Sequence, residues 1–132
     1  MSITQAFPNA SKLEALQALC PPGSTYKLAL LASTATYDKA STTFSGAGEV
    51  TGTGYTAGGA TLAGYSAAMS GDAAQLTFNA PTWANSTITA AGAVIYDTSN
   101  NKIRGVFNFG GNITSTNGTF TATIPSNLIA IN

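Results

Sequence analysis

The sequence predicts a mainly β fold: an antiparallel β-sandwich or jelly-roll-like barrel with one short N-terminal helix. Three observations lead there. Seven to nine short segments of strand character are separated by clusters of Gly, Pro, Asn and Ser at fairly even spacing, the pattern of a sandwich or barrel. Threonine is abundant, with 20 in 132 residues, and suits a solvated strand face that is polar without charge. Helical periodicity occurs in one place only.

That place is residues 11–20. Ser11-Lys12-Leu13-Glu14 matches a capping box, with Ser11 as N-cap and Glu14 three residues on. Leu13, Leu16, Leu19 and Cys20 follow on one apolar face, and Pro21-Pro22-Gly23 ends the element. So short a helix needs packing to be stable. Residues 1–9 precede it as an extended arm with Ile3 and Phe7 as anchors and Pro8 as a breaker. The chain therefore divides into an arm and short amphipathic helix over 1–23 and a single β-sandwich domain over 24–132. On that division, removing residues 1–22 leaves a folded β domain that assembles less well.

Tyr26 to Ala32 is the first strand, with Leu28 and Leu30 on one face and Lys27, Ala29 and Leu31 on the other. Residues 33–47 read as an irregular loop around Tyr37, Asp38 and Phe44. Residues 48–60 hold five glycines and read as a turn-rich, flexible segment. Thr61 to Ser66 has strand character, and Gln75 to Asn79 alternates with Leu76 and Phe78 inward. Thr87 to Asp97 is a long strand with a bulge expected at Gly92. Thr98-Ser99-Asn100-Asn101 turns it into a hairpin whose second arm runs from Lys102 to Phe109, closed by Gly110-Gly111. Gly118 to Ile124 alternates again, and Leu128 to Ile131 is a short last strand.

Composition narrows the chemistry. Five Lys or Arg balance five Asp or Glu, only 8% of the chain, against about 25% in an ordinary domain. Histidine is absent and Cys20 is the single cysteine. A histidine-based triad, a His-ligated metal, a cysteine cluster and an intrachain disulfide are excluded. Zero net charge argues against nucleic-acid binding, which rests on phosphate neutralisation. No run of about 20 apolar residues suggests a membrane helix. The first nineteen residues lack the basic start and apolar run of a secretion signal. No cofactor is expected.

Each remaining motif has a plain structural alternative. Gly52-Thr53-Gly54-Tyr55-Thr56-Ala57 formally satisfies a dinucleotide fingerprint, yet Gly58-Gly59 and a strand pattern follow where a helix must open. A turn is the better reading. Of the five acids, Asp38 and Glu49 alone lack a local role and are the only candidates for a catalytic pair; turn duty is the simpler reading, and no enzymatic activity is expected. Cys20 has no histidine to activate it and reads as a buried thiol. Trp83, Tyr37, Tyr55 and Tyr65 could form a sugar-stacking platform, against which Trp83 reads as core beside Pro81. Four lysines for some eight strands leave sheet edges poorly protected, which points to assembly and a homo-oligomer.

The segment from Tyr26 to Tyr65, YKLALLASTATYDKASTTFSGAGEVTGTGYTAGGATLAGY, resembles a family of small structural proteins of tailed bacteriophages. That family's pattern is an ALYTSSAT strand, an EVSGTGYTAGG loop, a Trp-containing stretch, ARGALIYN, and a strand ending in FGG. Its counterparts here are Ala29–Thr36, Glu49–Gly59, Pro81–Trp83, Ala91–Asp97 and Val106–Gly111, with Ile3-Thr4-Gln5-Ala6 and the short helix ahead of them. Ala91-Gly92-Ala93 departs from it by lacking an arginine before the glycine. The resemblance implies a virion component, first of all a capsid decoration or cement protein bound to the major capsid protein or other virion proteins. The alternative is a tail- or fibre-associated adaptor with a glycan-binding surface. Ile3, Phe7, Leu13, Leu16, Tyr37 and Tyr55 are the expected interface residues, and the virion, assembled in the host bacterial cytoplasm, the expected location.

Overall fold

A computed structural model describes Ile3 and residues 5–131. Met1, Ser2 and Thr4 of the expected arm, and Asn132, lie outside the described residues. The elements in order are α1 (Asn9–Leu19), β1 (Tyr26–Leu31), β2 (Ala60–Thr61), β3 (Ser66–Ser70), β4 (Ala73–Thr77), β5 (Thr82–Asp97), β6 (Lys102–Thr121) and β7 (Ile129–Ile131). They form two antiparallel sheets, β2-β1-β5-β6 and β3-β4-β7. The arrangement is that of an open sandwich, with no closed barrel. No described helix is long and apolar enough to cross a membrane.

β1 is an almost unbroken apolar run because both of its faces are covered. Leu28 and Leu30 join Ile88, Ile95, Leu76, Phe120 and Ile129 in the main core shared by the two sheets. Ala29 and Leu31 face the other way, into a second cluster with Val94, Tyr96 and Phe44. The irregular stretch 33–47 is the cover for that outer face, and Phe44 packs its ring 4.7 Å from that of Tyr96.

β5 and β6 are longer than alternation suggests. β5 begins at Thr82, five residues before the expected start, and β6 runs on through Gly110-Gly111 to Thr121. The expected end at the glycine pair is corrected: with φ of 88° and 154° the chain bulges out of register at residues 109–112, and pairing with β5 resumes at Ile113. Register shifts occur between Trp83 and Ser86, Ser86 and Ile88, Ala90 and Gly92, and Ile95 and Tyr96, so the expected irregularity at Gly92 is present with three more. Where two of them fall, the buried Ser86 hydroxyl lies within hydrogen-bonding reach of the carbonyls of Trp83 (2.9 Å) and Gly118 (3.0 Å) and of the Ser115 hydroxyl (2.9 Å). This polar knot satisfies groups that the interrupted ladder leaves free. The strand expected over Thr61–Ser66 is displaced: only Thr61 lies in β2 and only Ser66 in β3. β4 overlaps the strand expected over Gln75–Asn79 but starts two residues earlier, while the Gly71-Asp72 turn that joins it to β3 was not expected.

The helix also differs from expectation. It starts at Asn9, with Pro8 as N-cap and no side-chain cap, so Ser11 sits inside the first turn and the capping box does not form. The Pro8 carbonyl accepts the N–H groups of Ser11 (3.0 Å) and Lys12 (3.2 Å). Asn9 donates to the Asp72 carboxylate (3.2 Å), and the Lys12 ammonium donates to the Asp72 carbonyl (2.6 Å). These contacts tie the first turn to the β3–β4 turn and move the helix start forward. Leu16 and Cys20 are fully buried in the main core. The helix packs on the three-stranded sheet and is part of the fold, not an appendage to it.

Leu16→Ala should therefore cost about 2–5 kcal/mol in urea-induced unfolding. Removing residues 1–22 should abolish the cooperative transition instead of leaving a folded β domain.

Candidate functional site

The glycine-rich segment between β1 and β2 is where the most chemistry gathers. Its first residues run beside β1 and β5: Val50 N–H donates to the Leu30 carbonyl (3.0 Å), and Thr87 N–H donates to the Thr53 carbonyl (2.9 Å). Glu49 then turns inward. Its carboxylate accepts the Tyr55 hydroxyl and the Gly58 N–H (2.7 Å). The Tyr55 oxygen accepts in turn from Leu30 N–H (3.1 Å), and the Tyr96 hydroxyl donates to the Gly58 carbonyl (2.6 Å). Burial, with the proton held toward Glu49, pushes the Tyr55 hydroxyl far above the ordinary phenol range. Burial and the Glu49 charge push Tyr96 the same way.

Glycine is required at the close approaches. Gly59 has φ of 86° and lies so near the Leu28 carbonyl that a Cβ would collide with backbone. The segment expected to be flexible is thus pinned at both ends by hydrogen bonds to β1 and β5. No helix opens after Gly54, so the dinucleotide reading lacks its phosphate-binding terminus.

The other candidates separate. The Asp38 carboxylate accepts Ala40 N–H (2.8 Å) in its own turn, while Glu49, Tyr55 and Gly58 close a hydrogen-bonded latch, so both acids are used locally. Trp83 is buried, packed against Tyr55 (5.9 Å between centroids) and Phe120 (6.0 Å). Tyr65 stacks on Tyr26 (6.1 Å), and Tyr37 leans on Phe44 (6.1 Å). The four rings thus belong to three separate packing groups and make no common platform, which corrects the sugar-stacking expectation. Cys20 is buried, and burial pushes its thiol up. No group of three or more His, Cys, Asp or Glu side chains is placed to hold a metal ion among the described residues.

A cleft of about 640 Å³ opens between residues 32–41 and the outer face of β5 and β6. Leu31, Tyr37 and Val106 supply apolar wall; Asp38, Lys39 and Asn108 supply polar rim. The Arg104 Nε is buried beside it without a hydrogen-bond partner among the described residues.

Of the six expected interface residues, Ile3 (90% exposed) and Phe7 (55%) stand on the surface. Leu13 is half-buried against the core, and Tyr37 is half-buried with its hydroxyl on the Ala47 carbonyl (2.6 Å). Leu16 and Tyr55 are corrections: Leu16 is sealed in the core, and Tyr55 is committed to Glu49 and Leu30. Leu19 (48% exposed) and Ile113 (43%) are the apolar surface residues that sequence reasoning missed. Leu19 was placed on the buried helix face, which is instead Lys12, Leu16 and Cys20 at spacing of four. Together these features define a two-sheet antiparallel β protein in which Glu49, Tyr55 and Tyr96 hydrogen-bond within the fold. No family model, curated protein or solved structure matches the chain.

Tyr55→Phe should cost about 1–3 kcal/mol, because it leaves the Glu49 carboxylate and the Leu30 N–H short of a partner. Glu49→Gln should cost less, since an amide oxygen still accepts, and Gly59→Ala should cost most. Denaturant titration of the three variants checks the order.

Proposed function

We propose that the protein is a structural component of a tailed-phage virion, a capsid decoration or cement protein that binds the major capsid protein and stabilises the head shell. One observation carries this reading from the geometry. The carboxylates, phenols and thiol that could do chemistry are largely tied into the fold, while Ile3, Phe7, Leu19 and Ile113 face outward on a surface with very little charge. A surface with near-zero net charge favours association over dispersal. The resemblance of the β1, Glu49–Gly59 and β5–β6 segments to small virion proteins gives that association its setting. On this reading the partners are virion proteins and further copies of the chain, and the protein resides in the particle after assembly in the bacterial cytoplasm.

Densitometry of purified particles tests the assignment. A cement protein should be present at a copy number comparable to the capsid subunit, and particles lacking it should lose thermal or mechanical stability. A copy number fitting a single vertex would move the protein to the tail, as an adaptor.

A further inference from the structure

β6 is the outermost strand of its sheet, and its outer side is covered only at the start, where Thr43 pairs with Lys102. Beyond that point no strand pairs with it among the described residues. Unpaired edges of this kind recruit further strands unless charge, proline or bulges prevent it. Charge and proline are absent: from residue 105 to 132 no side chain is charged, and β6 contains no proline. Bulges are present and divide the edge. Gly110 and Gly111 kink it before residue 112, and Asn117, with φ of 47°, kinks it after residue 116.

In the stretch between the kinks, Asn112-Ile113-Thr114-Ser115-Thr116, the three central residues pair regularly. Its register on β5 is continuous, with Ile113 opposite Ala90, Thr114 opposite Thr89 and Ser115 opposite Ile88. The buried Ser86–Ser115 hydroxyl pair and the Thr89–Thr114 hydroxyl contact (3.1 Å) hold it in place. Alternation puts Ile113 on the face of Ser115, Ala90 and Ile88, all buried, yet Ile113 itself is 43% exposed. The core ends one residue short of covering it.

We propose that Asn112–Thr116 is a self-association edge that pairs antiparallel with the same five residues of a second copy, about a two-fold axis at Thr114. In that register Ile113 lies opposite Ser115 of the second copy and diagonal to its Ile113, which covers the exposed side chain on both sides. A two-fold contact makes every hydrogen bond twice from one patch. A second copy is favoured as occupant because the segment is complementary to itself and brings no like charges together. The kinks at both ends admit an insert of matching length only. So short a strand pair buries little area, so association should be weak and concentration-dependent in solution. The proposal rests on the edge geometry and is independent of where in a particle the protein acts.

Sedimentation velocity on the full chain should show a shift from 13.3 kDa toward twice that mass as concentration rises. Under mild oxidation Thr114→Cys should form covalent dimers, whereas Thr119→Cys, away from the axis, should not. Adding Ile113→Lys to the Thr114→Cys chain should abolish both the crosslink and the mass shift; Ile113 is exposed enough to accept the change, and circular dichroism checks that the chain stays folded. If Ile113→Lys unfolds the chain, the contrast between the two cysteine variants decides alone. A chain monomeric at every concentration, equal crosslinking of both cysteines, or a folded Ile113→Lys chain that still dimerises would overturn the proposal. None of these results would alter the particle copy number that tests the virion reading.

Discussion

The Glu49 carboxylate, gripped by the Tyr55 hydroxyl and the Gly58 N–H, is the interaction on which the centre of the fold depends. A carboxylate drawn partly out of water is costly unless hydrogen bonds replace its hydration. Here the replacement has a structural consequence. The same Tyr55 oxygen accepts the Leu30 N–H, so the carboxylate is coupled through one phenol to the backbone of β1. Tyr96 on β5 holds the far side of Gly58. A short segment rich in glycine thereby becomes a wall beside β1 and β5, and Tyr55 gains the packing against Trp83 that closes one end of the main core.

The constraint also explains the glycines. A side chain at Gly59 would strike the Leu28 carbonyl, and one at Gly52 would strike that of Thr87. In both places the chain must lie against a neighbouring backbone for the latch to reach its partners. Their number reflects close packing rather than looseness.

Much of the architecture was legible. The apolar run of β1, the alternation through Leu76 and the hairpin turn at residues 98–101 all mark real elements, because period-two burial and turn chemistry are local properties. What failed depended on distant partners. The capping box was correct as a pattern, but Asp72, sixty residues away, draws Lys12 and sets where the helix begins. Gly110-Gly111 reads as a stop, and it does interrupt the ladder, but pairing with β5 resumes at Ile113 and continues the strand. The latch left a faint trace: a lone Glu in a stretch otherwise free of charge, with Tyr six residues on. Its meaning required Leu30 and Tyr96, which composition does not connect to it. Among the interface candidates Ile3 and Phe7 are exposed, whereas Leu16 and Tyr55 are not free, because the chain itself uses their surfaces.

The surface that remains is what the functional reading must work with. Its reactive groups are largely engaged inward, its charges are few, and its outward apolar residues are scattered over an arm, a helix end and a strand edge. Such a surface suits contact with other protein, provided that the scaffold beneath it is rigid, and that rigidity is the central claim. Amide hydrogen exchange measures it directly. The amides of Leu30, Val50, Gly58 and Gly59 should exchange as slowly as those of β1 and β5, by global unfolding. Fast exchange across residues 48–60, at the rate of the exposed turn at Asp38–Ser41, would contradict it.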